Sequence, residues 1–351
     1  MNPHLQHWSV SPDGFPEDGF VSDRLEYLLR YAILAPSPHN TQPWLFRILT
    51  NDVEVYVDPR RGLKVADPHG REMFMACGAA LLNLRIAGEY FGQKCSVTVF
   101  PDADKPTLVA RMTVHSGGEA TSEDVVLFHA ITERRTNRER FGGESLPEAV
   151  LEQLGDAATQ EGAWLAFLGE DEAKTAMAAL VAEGDRRQWG QREFRAELAR
   201  WVRTDAEHQA DGIPTRELGV TDWLSFAGPA LVRTFDRGGR QAARDEDIAK
   251  QSPLILVLGT DADTPREWVA AGQALQRVLL VAASEGVSAS HLNQPVEVES
   301  LRPQAAMLAG RESGYPQVIL RLGYGVGVPP TPRRELRSVV LCQDPAKAPP
   351  H

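Results

Sequence analysis

Two stretches of this chain repeat one another, and they set its architecture. Cys77 to Gly92 and Ala271 to Gly286 are both runs of mostly apolar residues with helical character. In each, a glycine (Gly78, Gly272) stands just before an Ala-Leu pair, and a second glycine (Gly92, Gly286) closes the run fourteen residues later. The first glycine lets another helix approach closely, and the second reads as a left-handed residue ending a helix. Apolar residues surround both helices almost completely, which predicts that each is central and buried.

The repeat extends outward. Strand-like runs precede the two helices at Val53 to Val57 and Leu254 to Leu258, and others follow at Ser96 to Phe100 and Val318 to Leu322. Further upstream, Leu25 to Leu34 and Pro147 to Ala158 read as helices. They lead into Trp44 to Ile48 and Trp164 to Leu168, both Trp-led strands. Helix, strand, helix, strand therefore occurs twice. The expected division is an N-terminal arm over 1–20, a first half over 21–125, a second half over 126–340 and a tail over 341–351. A polar helical insertion over 171–250, rich in Arg and Trp, belongs to the second half alone.

At 351 residues with 42% hydrophobic and 24% charged content, the chain has ample material for a buried core. Its net charge of −11 argues against nucleic acid or an anionic membrane as partner, so local basic clusters become candidates for holding one small anion. Three such clusters occur: Arg60 with Arg61, Arg134 to Arg138, and Arg333 with Arg334. Three cysteines with no Cys-x-x-Cys spacing suggest neither a disulfide framework nor a metal site and fit a reducing, cytoplasmic setting. No run is long and apolar enough to span a bilayer. There is no Gly-x-Gly-x-x-Gly after a strand, and no Walker loop, His-Glu-x-x-His or Gly-x-Ser-x-Gly.

Chemistry concentrates in four places. Between the first helix and its strand lies Ala35 to Trp44, in which Ser37, His39, Asn40 and Gln42 sit among three prolines; the second half has only Ala158 to Trp164 there. The second half opens with Arg134, Arg135, Thr136, Asn137 and Arg138, whose guanidinium forks suit a phosphate. Arg333 and Arg334 follow the last strand and a Gly-rich turn, and Asn293 and Gln294 lie in the loop from Ser288 to Pro295 after the second buried helix.

Together these residues resemble the nitroreductase superfamily over nearly the whole chain, from about Ser22 to Val339. The Pro-Ser-x-x-Asn-x-Gln-Pro-Trp loop is similar to the family's flavin-ring loop. Arg134, Thr136 and Arg138 resemble the Arg-x-Ser-x-Arg motif that binds the FMN phosphate and ribityl chain. Arg333 and Arg334 match a basic pair that completes the phosphate site. The resemblance further implies a backbone contact from Asn293 or Gln294 to flavin N5, and a group near N1 and O2, matched by Arg244. No side chain is expected to be catalytic, because N5 does the chemistry, and no metal is implied.

Asp67 to Arg71 and Leu292 to Glu297 narrow the likeness to the fused-dimer, Acg-type nitroreductases. The implied fold is α+β, with two pseudo-symmetric halves in one chain around antiparallel sheets and central helices. The loop exists only in the first half and the arginines only in the second, so one FMN per chain is expected, the monomer imitating a dimer. The implied function is an FMN-dependent oxidoreductase using NAD(P)H or a small-molecule substrate. The alternative is a flavin-storage protein whose insertion covers the ring as a lid, with little NAD(P)H-driven turnover.

Overall fold

Helix α1 (Val21–Ala32) leads into β1 (Trp44–Ile48) and β2 (Asp52–Val57), then α2 (Arg71–Tyr90), β3 (Gln93–Val99), β4 (Leu108–Ser116) and α3 (Ser122–Glu133). These elements come from a computed structural model that describes residues 3–204, 209–214 and 238–341; Trp223 and Cys342 lie outside the described residues. The second half runs α4 (Glu148–Gln160), β5 (Trp164–Leu168), α5 (Asp171–Gly190), α6 (Arg192–Trp201), β6 (Val202–Arg203), β7 (Ile213–Pro214) and α7 (Gly238–Gln251). It continues with β8 (Leu254–Thr260), α8 (Pro265–Ser284), β9 (Ser288–His291), α9 (Gln294–Glu297), α10 (Arg302–Leu308) and β10 (Tyr315–Gly323).

Each half builds a four-stranded antiparallel sheet, ordered β1-β2-β4-β3 in the first and β5-β8-β10-β9 in the second. The order is the same in both: the third and fourth strands of each four-stranded sheet, in chain order, exchange places. Two expectations need adjustment. The run from Ser288 begins as strand β9, paired with β10, rather than as a loop. It is short and carries only Ala289 as an apolar residue, so no alternation marked it. The strand expected over Ser96 to Phe100 instead spans Gln93–Val99, because Phe100 turns out of it with φ 51°.

The first-half hairpin from β1 to β2 needs only Leu49 to Asn51, whereas the matching gap between β5 and β8 holds α5, α6 and α7. Helix α5 is a core layer in its own right. Met177, Ala178 and Val181 pack on Ile255, Val257 and Ile319, the outer face of the second sheet. On the opposite face Leu254, Leu256 and Leu258 join the main core with α2 and α8. Strand β8 is buried on both faces, which explains its unbroken apolar sequence.

Helices α2 and α8 meet through their glycines. A Cβ on Gly78 would stand 2.3 Å from the Val269 carbonyl oxygen, and one on Gly272 would stand 2.0 Å from that of Met75. Backbone therefore touches backbone at the crossing, where only hydrogen fits. Beside it, Gln276 Nε2 donates to Asn83 Oδ1 (2.7 Å), and Arg85 and Arg277 both close on Glu161 (2.8 and 2.9 Å). The Gly272→Ala substitution should cost about 3 kcal/mol of stability by overpacking. Gly155→Ala, in the middle of α4 with open space around it, should instead stabilise by about 0.5–1 kcal/mol. Urea unfolding of both variants checks the contrast; equal effects would remove the close crossing as the explanation.

Candidate functional site

A cavity lies between the two halves, beside the helix crossing. The first half contributes Ser37, His39 and Asn40, the second Arg134, Thr136, Arg138 and Arg321. The insertion supplies a further wall, with Asp185, Trp189, Phe194 and Arg244 among its members.

The loop holding Ser37 and Asn40 is tightly curled. His39, Asn40 and Gln42 all take positive φ (49°, 53° and 50°), a region that favours glycine and is tolerated best by Asn and similar side chains. Ser37 Oγ accepts from Gln42 N (2.9 Å), and Thr41 N donates to Pro38 O (2.9 Å), closing the curl. Asn40 spends its amide on the surroundings. Nδ2 donates to Gly212 O (3.3 Å) and Pro332 O (3.1 Å), and Oδ1 accepts from Arg333 (3.3 Å). Trp44, which follows the loop at the start of β1, is fully buried in the main core.

Of the thirteen residues singled out in the sequence, ten line the cavity: Ser37, His39, Asn40, Arg134, Thr136, Arg138, Arg244, Asn293, Gln294 and Arg333. Three do not. Gln42 is buried between Ala210 O, which it donates to at 2.8 Å, and Arg334 N, which donates to it at 2.8 Å. Arg334 reaches Gln42 O and Ser338 O. Arg135 turns away to lie 4.0 Å from the centre of the Trp8 ring. Adjacent arginines in an extended segment face opposite ways, which is why only Arg134 of Arg134–Arg135 and only Arg333 of Arg333–Arg334 reach the cavity.

Arg134 is 3% exposed, and its Nε and Nη1 have no hydrogen-bond partner among the described residues. Burial, with Arg135 adding, lowers its pKa to about 9. Arg333 is engaged with the loop carbonyls Leu34 O (3.1 Å) and Ala35 O (3.2 Å) and with Thr331 Oγ1 (2.7 Å). Trp8 of the N-terminal arm ties this group together: Arg135 and Arg333 stack on its ring, and Nε1 donates to Thr331 O (2.8 Å). Two of the cavity residues that went unrecognised in the sequence carry unpartnered buried atoms among the described residues. Arg321 is 2% exposed, with Nη2 donating to Asn137 O (3.1 Å) and Glu139 O (2.9 Å) while Nη1 is unpartnered. Asp185 of α5 is equally buried and has an unpartnered Oδ2. A lone charge amid Val318, Ile319, Leu320 and Leu322 was the signal for Arg321; nothing local marked Asp185.

Burial lowers both cavity histidines, His39 and His291, to about 4, with Arg138 adding in each case. They are neutral at ordinary pH. The acids move the other way. Burial first, then the neighbouring Asp245, pushes Asp185 up to about 8, and burial raises Glu72 and Glu297. Asn293 Nδ2 donates to Glu72 (3.2 Å), and Gln188 Nε2 donates to Glu297 (2.6 Å).

The sequence profile of the Nitroreductase family matches residues 131–324. A Mycobacterium tuberculosis H37Rv protein provisionally named an NAD(P)H nitroreductase is 30% identical over 323 residues, covering 91% of this chain and 91% of the relative. A second protein of that organism, provisionally named NAD(P)H nitroreductase acg, is 27% identical over 333 residues, with coverages of 92% and 97%. By the profile and these relatives, the chain belongs to the nitroreductase family. Among solved structures, the FMN-dependent nitroreductase NfnB from Mycobacterium smegmatis in complex with NADPH gives a TM-score of 0.41 at 16% identity, covering 63% of this chain and 99% of that one.

Two outcomes are expected of the site as built. Trp8→Ala should lower stability by about 3 kcal/mol, whereas Trp8→Phe, which keeps a ring under the arginines, should lose about 1 kcal/mol with the hydrogen bond to Thr331. Asp185 has a folded-state pKa above its ordinary value, so it costs stability as pH rises from about 4 to about 8. Asp185→Asn should then unfold at higher urea than the parent at about pH 8, and the two should converge near about pH 4. Parallel curves across that range would contradict the buried carboxyl.

Proposed function

We propose that this chain is an FMN-dependent oxidoreductase holding one FMN in the cavity between its halves. The observation that carries the reading is Arg134: a guanidinium in the cavity wall, 3% exposed, with Nε and Nη1 unpartnered, calls for an anion. A phosphate bridged by Arg134, with Arg138 nearby and the Thr136 hydroxyl beside it, fits that requirement. Arg333 works differently, fixing the first-half loop against the phosphate end. The curled loop from Ser37 to Asn40 faces the ring, and Asn40 acts by pinning the loop rather than by offering a free amide. Arg244 and Arg321 provide positive charge where a reduced ring would carry negative charge. Bound there, FMN supplies hydride exchange with a nicotinamide or an organic acceptor.

The repeated strand order supports an origin by duplication and fusion, the single chain imitating a dimer. Only one loop and one set of arginines exist, hence one flavin. The storage reading also has support. Trp189, Phe194, Leu198 and Ile213 of the insertion line the cavity. The same segment is fastened to the first half, where Asp211 pairs with Arg61 and Glu197 accepts from Val65 N and Ala66 N. A wall fixed in this way favours a covered flavin with slow NAD(P)H turnover.

Flavin released by denaturation should amount to one FMN per polypeptide; two would overturn the arrangement. Arg134→Ala should weaken FMN roughly 10- to 100-fold, the loss of one charge-assisted bond of about 1.5–3 kcal/mol, and leave riboflavin nearly unchanged. Anaerobic mixing with NADPH separates the two roles: slow bleaching of flavin absorbance supports the covered flavin, and rapid bleaching supports an open reductase.

A further inference from the structure

Among the described residues, the unpartnered buried atoms around the cavity are sorted by type. Near β10 and the Arg134 segment they are donors, Nε and Nη1 of Arg134 and Nη1 of Arg321. Near the insertion they are acceptors, Oδ2 of Asp185 and Oε1 of Gln294. The Gln294 oxygen is left over because its amide nitrogen is divided between Asp185 Oδ1 and Asp245 Oδ2, at 3.2 Å each. Asp185 is 2% exposed, so its carboxyl is held away from bulk water. One end of the cavity thus calls for an anion and the other for a ligand rich in N–H donors.

Aromatic surface adjoins the acceptor end. Trp189 lies one helical turn beyond Asp185 on α5, and Phe194 meets its ring at 6.4 Å in an edge-on arrangement; both line the cavity. A metal ion does not fit, since among the described residues no group of three His, Cys, Asp or Glu side chains is placed to hold one. We propose that this end is a subsite for an aromatic amidinium or ammonium compound, its cationic head on Asp185 and Gln294 and its ring against Trp189 and Phe194. A planar amidinium suits the pair, one N–H to the carboxylate and another to the amide oxygen, and aromatic faces favour a cation beside them. The subsite names a substrate class for the cavity, so its part in turnover rests on the flavin reading; its binding does not.

Burial, and next the neighbouring Asp245, favour the protonated Asp185 carboxyl, so the cation competes with a proton. Asp245 from α7 and Gln294 and Glu297 from α9 act on it, and Arg244 of α7, Glu72 of α2, which pairs with Arg71, and Arg321 of β10 line the same cavity. With the Asp185 carboxyl pushed up to about 8, mainly by burial and next by Asp245, affinity for a cation should rise with pH up to that value and then level.

Titration calorimetry of the purified, FMN-loaded protein with benzamidine, in two buffers of different ionisation heat, tests this. The expected result is about one proton released on binding near pH 7, with affinity tightening by up to about tenfold per pH unit between about pH 6 and pH 8. Asp185→Asn should weaken binding at least about tenfold and abolish the pH dependence, whereas Glu183→Gln, on the exposed face of the same helix, should bind as the parent does. Flavin absorbance of the same samples scores the cofactor separately. Flavin-loaded protein that binds no benzamidine, binds it equally at all pH, or binds it equally after Asp185→Asn overturns the subsite alone. Flavin-free protein that binds benzamidine through Asp185 overturns the FMN reading and keeps the subsite.

Discussion

The contact of α2 with α8 through Gly78 and Gly272 determines where everything else lies. Both helices are wrapped in apolar side chains, so neither folds stably unless something covers it on all sides, and the close crossing lets each serve as part of the other's cover. The same turns form the cavity floor. Met75, Ala76 and Ala79 of α2 and Leu275 of α8 line it, within a turn of the two glycines. A wider crossing would move the first-half loop away from the second-half arginines, and the two sides of the cavity would no longer face each other.

Electrostatically the arginine end of the cavity opposes the molecule around it. The chain carries a net charge of −11, yet five arginines line this cavity. Two of them have neutral partners: Arg321 has backbone carbonyls and the Phe141 ring, and Arg333 has carbonyls and Trp8. Such partners stabilise the cation without cancelling its charge, which leaves its field available to a bound anion. Burial lowers Arg321 to about 10, so it keeps its charge at neutral pH.

What was legible in the sequence depended on locality. The two glycine-marked helices, the Trp-led strands and the loop from Ser37 to Gln42 are each continuous in the chain, and their chemistry is local: apolar periodicity, a glycine in a crowded helix, prolines fixing a turn. Which member of Arg134–Arg135 or Arg333–Arg334 faces inward was not legible, because that depends on backbone direction. The acidic end was invisible for a stronger reason. Glu72, Asp185, Asp245 and Glu297 come from four helices, and each looks like an ordinary surface carboxylate among its neighbours. Assigning the insertion as polar hid α5, whose Met177, Ala178 and Val181 cover the second sheet and whose Asp185 is buried.

The last strand is followed by a segment that leaves its own half. Phe46 N donates to Val339 O and Leu341 N donates to Phe46 O, both at 2.7 Å, so this segment runs parallel to the edge strand β1 of the first sheet. The pairing joins residues almost 300 positions apart, the kind of contact whose loop-closure entropy must be met late in folding. Arg333 lies on this segment and Trp8 on the opposite terminus. During synthesis the first sheet and its loop therefore emerge long before the strand that completes their edge. Arg333 on that segment contacts Asn40 and the Leu34 and Ala35 carbonyls, so the first-half wall of the cavity is fixed only once this distant pairing is in place.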